Sequence, residues 1–342
     1  MRIAQLSPLY ESVPPKYYGG TERVVSYLTE ELVRMGHEVT LFASGDSVTS
    51  ARLVSPCLRA TRLDQDCRDE MVHHILMLEQ AYRDAEQFDI IHSHMDYFPL
   101  PLARRCPTPT LTTLHGRLDL PEIDPMYREF REMPFVSISD AQREPLPWLN
   151  WTGTVHHGIP RDLYRPSADT GDYLAFLGRI APEKGIEDAI SIAKRSSMAL
   201  KIAAKVSKAD LSYYQETVRP LLDHPLVEFI GEIGEAEKNE FLGRARALLF
   251  PVDWPEPFGI VMVEAMACGT PVIAYPRGSV LEVITPGING LIVDGVDEAV
   301  NAVKKTAGMD RARCRRAFEE RFTATRMAQE YLTLYQRLEQ SR

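Results

Sequence analysis

The chain has 342 residues, 44% of them hydrophobic and 25% charged, and its 48 acidic side chains outnumber 39 Lys and Arg for a formal net charge of −9. That balance excludes the basic footprint of a nucleic-acid binder, and the apolar share excludes a disordered or fibrous chain. At roughly 150 residues per domain the length predicts two domains.

Residues 1–15 lack the charged flank and apolar run of a signal peptide, and no stretch approaches the roughly 18 uninterrupted apolar residues of a membrane span. Cys57, Cys67, Cys106, Cys268 and Cys314 share no C-x-x-C spacing. The expectation is a soluble cytoplasmic protein with reduced thiols.

Strands are predicted at 2–6, 38–43, 89–92, 110–114 and 135–139, with an amphipathic helix over 21–35 that Gly36 stops. Pattern fades between 150 and 172 among Gly153, Gly158, Pro160, Pro166 and Gly171, which marks the domain boundary. Alternation resumes with strands at 173–177, 199–204, 227–230, 247–251 and 271–275 and helices at 186–195, 213–222, 236–245 and 259–268. Such βα alternation predicts two doubly wound parallel sheets, with ligands at the strand carboxyl ends. The tail 311–339 reads as one Arg- and Glu-rich helix, with Arg311, Arg313, Arg315 and Arg316 on a solvated face. In the helical stretch 68–88, Arg68 and Arg83 are outnumbered by Asp69, Glu70, Glu79, Asp84 and Glu86, so docking on an anionic membrane is not expected.

Three segments fall just after strands. In PPKYYGGTE, residues 14–22, Gly19 and Gly20 let backbone approach an anion, Thr21 can cap the helix, and the helix terminus offers N–H groups. No G-x-G-x-x-G or Walker loop follows the first strand, which argues against a dinucleotide dehydrogenase or P-loop NTPase. In GRIAPEKG, residues 178–185, Arg179 supplies a fixed fork of donors and Lys184 a mobile charge, suited to a diphosphate; a solvated loop is the alternative. In DWPEPFGIVMVEAMACGTPV, residues 253–272, two prolines hold Glu256 on a stiff loop. Glu264 sits on an otherwise apolar helix, where it needs a partner such as sugar hydroxyls or a protein cation.

Glu256 and Glu264 within EPFGIVMVEAMACGTPV, with GRIAPEKG and the early GGTER, resemble glycosyltransferase family four over nearly the whole chain. That resemblance implies an α/β GT-B fold, two Rossmann-like domains facing across a deep cleft: an acceptor-side domain 1–165, rejoined by helix 324–342, and a donor domain 166–323. It implies a retaining, metal-independent hexosyltransferase with no cofactor, its partners a nucleotide-sugar donor and a hydroxyl acceptor. By resemblance, Gly19 and Gly20 approach the donor phosphate, Arg179 and Lys184 hold the diphosphate, and Glu264 takes the ribose hydroxyls. Glu256 faces the transferred sugar, Phe258, Gly259 and Ile260 supply amides, and His115 is the active-site histidine. A strand-end histidine before glycine serves equally as a structural one.

The segments HGRLDLPE and SISDAQREPLP are similar to bacterial sequences labelled UDP-glucose-dependent (tetrahydrobiopterin) glucosyltransferases, which makes UDP-glucose the expected donor. A GDP-mannose-dependent enzyme, an epimerase or phosphorylase on the same fold, and a non-enzymatic nucleotide-sugar binder are the alternatives. Lys16, Tyr17, Tyr18, Asp96, Tyr97, Arg117, Leu118 and Asp119 are candidate acceptor lining, and Ser139 is another residue facing the cleft. His92 and His94 suggest no third metal ligand and are assigned structural or acceptor-side roles. Asp64-Gln65-Asp66 has the D-x-D look of a metal clamp but lies in a polar stretch without a strand. The chain departs from the family at His157-Gly158-Ile159-Pro160 and at Ala203-Ala204-Lys205, where Lys205 reaches either the donor or solvent.

Overall fold

The computed structural model describes residues 1–167 and 171–340. The chain divides into two compact units, Met1–Pro160 with Ala324–Arg342, and Arg161–Thr323. Among the described residues no helix is long and apolar enough to cross a membrane, and no group of three or more His, Cys, Asp or Glu is placed to hold a metal ion. The five cysteines are unpaired thiols.

The first unit carries strands β1 (Arg2–Leu6), β2 (Glu38–Phe42), β3 (Arg52–Val54), β4 (Ile90–Ser93), β5 (Thr110–Thr113), β6 (Phe135–Ser137) and β7 (Trp151–Thr154) in the order β3-β2-β1-β4-β5-β6-β7. Every pairing is parallel, and the order reverses between β1 and β4, where Gln5 lies beside His92. Strands buried on both faces read as near-continuous apolar runs, as Ile3, Ala4, Leu6, Ile90 and Ile91 do. Helix Glu70–Arg83 drives Met77, Leu78 and Ala81 against Ala4, Leu6, Phe42 and Ile91. Its amino end is capped by Asp69, whose carboxylate accepts from Met71 N–H.

Strands β8 (Tyr173–Arg179), β9 (Ala199–Lys205), β10 (Val227–Gly231), β11 (Ala247–Phe250), β12 (Val272–Ala274) and β13 (Gly290–Ile292) form the second sheet, also parallel, in the order β10-β9-β8-β11-β12-β13. Helix Ile186–Ser196 is amphipathic and buries Ile186, Ala189, Ile190 and Ala193 on Leu174, Phe176 and Ile202. Helix Ile260–Ala267 is apolar all round apart from Glu264 and is correspondingly buried, with Met262, Val263, Ala265 and Met266 shut from solvent. The reversal of strand order between β8 and β11 puts the loops after both strands side by side, where this architecture binds ligands.

The structure corrects several sequence expectations. Within the stretch where sequence pattern fades, β7 occupies Trp151–Thr154, a strand not among those predicted. The predicted helix 213–222 is present over 211–221 but irregular, α-helical at Leu211–Tyr213, π-helical at Tyr214–Val218 and 3₁₀ at Arg219–Leu221, with Pro220 unable to donate to a regular ladder. The tail is two helices, Arg311–Arg321 and Ala324–Gln340, broken at Phe322 and Thr323. The first belongs to the second unit and the other packs within the first unit, where Thr325 bonds Glu31 at 2.5 Å.

The expected solvated arginine face holds for Arg313 and Arg316 and fails for Arg311 and Arg315. Arg311 donates to the carbonyls of Ser167, Ala245 and Gly243 and to Thr270 Oγ1, and Arg315 to the carbonyls of Tyr164, Ala267 and Arg161. Both guanidiniums satisfy carbonyls at chain turns, a structural use of the five-donor fork, while Arg313 and Arg316 are exposed.

Candidate active site

In the second unit Arg179 ends β8 and Lys184 lies in the turn that follows it. Arg179 pairs with Glu183 at 2.5 Å and with Asp210, and Lys184 Nζ lies 2.5 Å from Glu256 Oε2. Trp254 Nε1 donates to the same Glu256 oxygen at 2.8 Å, and Lys184 rides over the Trp254 ring, 4.8 Å from its centroid. The loop holding Lys184 requires Gly185, whose φ is +71 and where a Cβ would fall 1.9 Å from the Pro251 carbonyl oxygen. The Glu256 loop likewise requires Gly278, at φ +54, where a Cβ would meet the Glu256 backbone oxygen at 2.3 Å. Two positive charges and the carboxylates that answer them are thus fixed at the carboxyl ends of β8 and β11.

Helix Ile260–Ala267 begins next to this cluster behind Gly259, in the left-handed conformation at φ 72. Its first-turn amides are a ready anion site at the positive end of the helix dipole. Further along, Glu264 is completely buried and its Oε1 is 2.7 Å from Lys238 Nζ, while Oε2 is buried without a hydrogen-bond partner. Glu235 lies 3.5 Å from the same ammonium. The protein-cation alternative for Glu264 therefore holds for one oxygen and leaves the other bonding capacity unmet. Next to the Lys184 turn a cavity of about 480 Å³ is bordered by Glu187, Asp188, Asp253, Tyr275, Arg277 and Asp294, with Arg277 paired to Asp253.

In the first unit the glycine-rich loop follows β1. Gly19 and not Thr21 is the helix cap, with no side-chain capping bond; Thr21 lies inside the first turn, because the helix already starts at Gly20. Arg23, almost fully buried, ties the loop down by donating to the Tyr17 carbonyl at 2.6 Å. Lys16, Tyr17 and Tyr18 are exposed. Glu22 beneath the loop has its carboxyl pushed up to about 7 by burial, with Glu11 nearby adding to the shift.

His115 follows β5, and its Nε2 is 2.8 Å from His94 Nδ1, past the end of β4. Its ring stacks on His157 with centroids 5.2 Å apart, so the departure at 157 supplies a packing partner for His115. Burial depresses the His115 imidazole to about 3 and holds His92, His94 and His157 well below the ordinary value. Asp96 sits at φ 48, a conformation that Asp tolerates better than most residues, and the His115 backbone N–H bonds its carboxyl, which burial raises to about 6.

His92 is structural: Nε2 bonds Thr113 Oγ1 at 2.8 Å and Nδ1 bonds Tyr335 OH at 2.6 Å. Ser139 is buried and accepts from Gln142 N–H, Arg117 and Asp119 pair with each other at 2.7 Å, and Asp64 closes a local turn by accepting from Asp66 N–H. The reading of sequence did not single out Trp254, Lys238, Asp210, Gln5, Tyr331 or Tyr335. Only the last two had a signal, an i,i+4 pair of tyrosines on one helix face.

Comparison with known proteins bears on this geometry. Residues 165–319 match the family model of glycosyl transferases group 1, and residues 18–176 match that of glycosyltransferase family 4. The chain is 26% identical over 398 residues to a glycogen synthase of Mycobacterium tuberculosis, covering 97% of this chain and 94% of that protein. Sucrose-phosphate synthase from Thermosynechococcus elongatus superposes with a TM-score of 0.82 at 20% identity, over 100% of both chains. Anabaena HepE in complex with UDP-glucose gives 0.72 at 17%, over 97% of this chain and 98% of that one.

Proposed function

Because the chain belongs to the group 1 glycosyltransferases, enzymes of the GT-B architecture, we propose that it transfers glucose from UDP-glucose to a hydroxyl acceptor with retention at the anomeric carbon and without a divalent cation. The observation that carries this reading is the Lys184–Glu256 pair beside Arg179. In hexosyl transfer the bond from the anomeric carbon to the diphosphate oxygen breaks as positive charge develops on the sugar and negative charge on the leaving group. Arg179, Lys184 and the amides of Phe258, Gly259 and Ile260 are fixed donors for that negative charge, and they need no reorganisation when it appears.

An incoming diphosphate competes with Glu256 for Lys184 and frees the carboxylate for the sugar hydroxyls. Gly19 and Gly20 bring backbone to the distal phosphate. Glu264 Oε2, unmet in the unliganded protein, takes a ribose hydroxyl. His115 belongs to the acceptor side, where the acceptor hydroxyl attacks the anomeric carbon and its proton leaves with the departing phosphate oxygen. The similarity of 115–122 and 137–147 to pterin glucosyltransferase sequences makes a reduced pterin the first acceptor to screen, and HepE supports the choice of UDP-glucose as a fold-level analogy.

The test is a thermal-shift panel of UDP, GDP and ADP and their glucose and mannose conjugates, with and without chelator, since a ligand of the native state raises its apparent stability. A rise with UDP and UDP-glucose that survives chelator, followed by an α-configured product on NMR, supports the reading. A rise confined to GDP-mannose moves the donor to mannose, and no rise with any nucleotide overturns the reading.

A further inference from the structure

Two proton arrangements satisfy the buried side chains that run from the last helix to His115. Tyr335 OH is 3.2 Å from Gln5 Nε2 and 2.6 Å from His92 Nδ1, Gln5 Oε1 is 2.8 Å from His94 Nε2, and His94 Nδ1 is 2.8 Å from His115 Nε2. In one arrangement the Gln5 amide donates to Tyr335 and its oxygen accepts from His94 Nε2–H. His94 Nδ1 is then bare and accepts from His115 Nε2–H, leaving His115 Nδ1 bare. Rotating the amide reverses every bond along the chain and leaves His115 with a proton on Nδ1.

The arrangements differ in what they strand. His115 Nδ1 is buried and has no hydrogen-bond partner. A buried N–H without an acceptor forfeits a bond it would make in water, whereas a bare imidazole nitrogen is the weaker loss of the two. Burial keeps all three imidazoles neutral, so neither end is rescued by a second proton.

We infer that Gln5 and Tyr335, acting through His94, are positioning residues that hold His115 in the Nε2–H tautomer, so that the ring meets its ligand only as an acceptor. His115 then recognises a hydroxyl that donates to it, on the sugar or on the acceptor, and contributes no proton to the leaving group. This rests on the proposed role of His115 in transfer, but the tautomer is measurable without turnover. Gln5 comes from β1 and Tyr335 from the terminal helix, 330 residues later.

Long-range ¹H–¹⁵N correlation on histidine-labelled, unliganded full-length protein at neutral pH reads the tautomer directly. The expected His115 pattern is a protonated Nε2 and a bare Nδ1; a protonated Nδ1 overturns the inference whether or not the protein proves to be a transferase. Gln5→Leu removes the acceptor of His94 Nε2–H, so either arrangement then strands one N–H, and the expected response is a mixture of tautomers at His115. Its kcat falls about tenfold, the size of one hydrogen bond. Gln5→Glu keeps an acceptor at that position and is expected to retain the wild-type pattern and most of kcat. A Gln5→Leu protein that folds and keeps both tautomer and kcat overturns the positioning role, and if it does not fold the wild-type spectrum alone decides. Absence of any transferase activity with an Nε2–H spectrum removes the functional reading and leaves the proton arrangement standing.

Discussion

Lys184 and Glu256, 72 residues apart in sequence, meet at 2.5 Å with side chains 17% and 11% exposed. Each holds the other's charge in a place where neither is well hydrated. Lys184→Met or Glu256→Gln alone is expected to lower the unfolding free energy by about 2–4 kcal/mol, and the double substitution by less than the sum. Urea denaturation of the four proteins measures the coupling. Either single change is also expected to lower kcat by about 100-fold or more, because the donor set for the leaving group is broken.

Lys238 and Glu264 offer a second, more deeply buried pair. Lys238→Met leaves a completely buried carboxylate without its cation, a loss of about 3 kcal/mol or more, and Glu264→Gln in the same chain should restore part of it. Nucleotide titration calorimetry is the second readout. Lys238→Met is expected to weaken UDP binding more than it weakens binding of the 2′,3′-dideoxy analogue, since the carboxylate is then free to turn away from the ribose.

Acid should unfold the first unit through its histidines. His92, His94, His115 and His157 all have folded values depressed below the ordinary 6.5, so the unfolded chain binds their protons first. Their contribution to stability is complete above about pH 6.5 and is lost as pH falls towards the depressed folded values. Each adds about 1.4 kcal/mol per pH unit to the slope within that window. Urea midpoints between pH 7 and pH 5 test this, and His92→Gln is expected to flatten the slope.

Glu22 acts with the opposite sign. Its carboxyl is raised from 4.5 to about 7, so its contribution is complete below pH 4.5 and is lost as pH rises through 7, up to about 3 kcal/mol. Glu22→Gln is expected to raise the urea midpoint at pH 8 and to leave it nearly unchanged at pH 4.5. Equal effects at both values would mean that Glu22 is not held as a buried neutral carboxyl.

The alternation of strands and helices was legible because each βα unit carries its own apolar run, and Ile3, Ile91, Leu174 and Ile202 are all core residues. Strand β3 has only three residues and β7 includes Gly153 and two threonines, too short and too polar to register as pattern. The candidate site was legible where chemistry and spacing are local, as in residues 178–185 and 253–272. Lys238 escaped because its partner is 26 residues away, and Gln5 because its partner is 330 away. The arginines of the tail were misread for the same reason: Arg311 caps the carbonyls of Gly243 and Ala245, which no periodicity of its own helix reveals.

The helix Ala324–Gln340 packs in the unit that begins with β1, while residues 161–323 form a unit of contiguous chain. During synthesis the ribosome therefore delivers the second unit entire before the first has all its parts. Until that helix emerges, Gln5 lacks Tyr335 and Thr113 lacks Tyr331, so a nascent chain carries a finished second unit and a first unit in which the proton of His115 has not yet been placed.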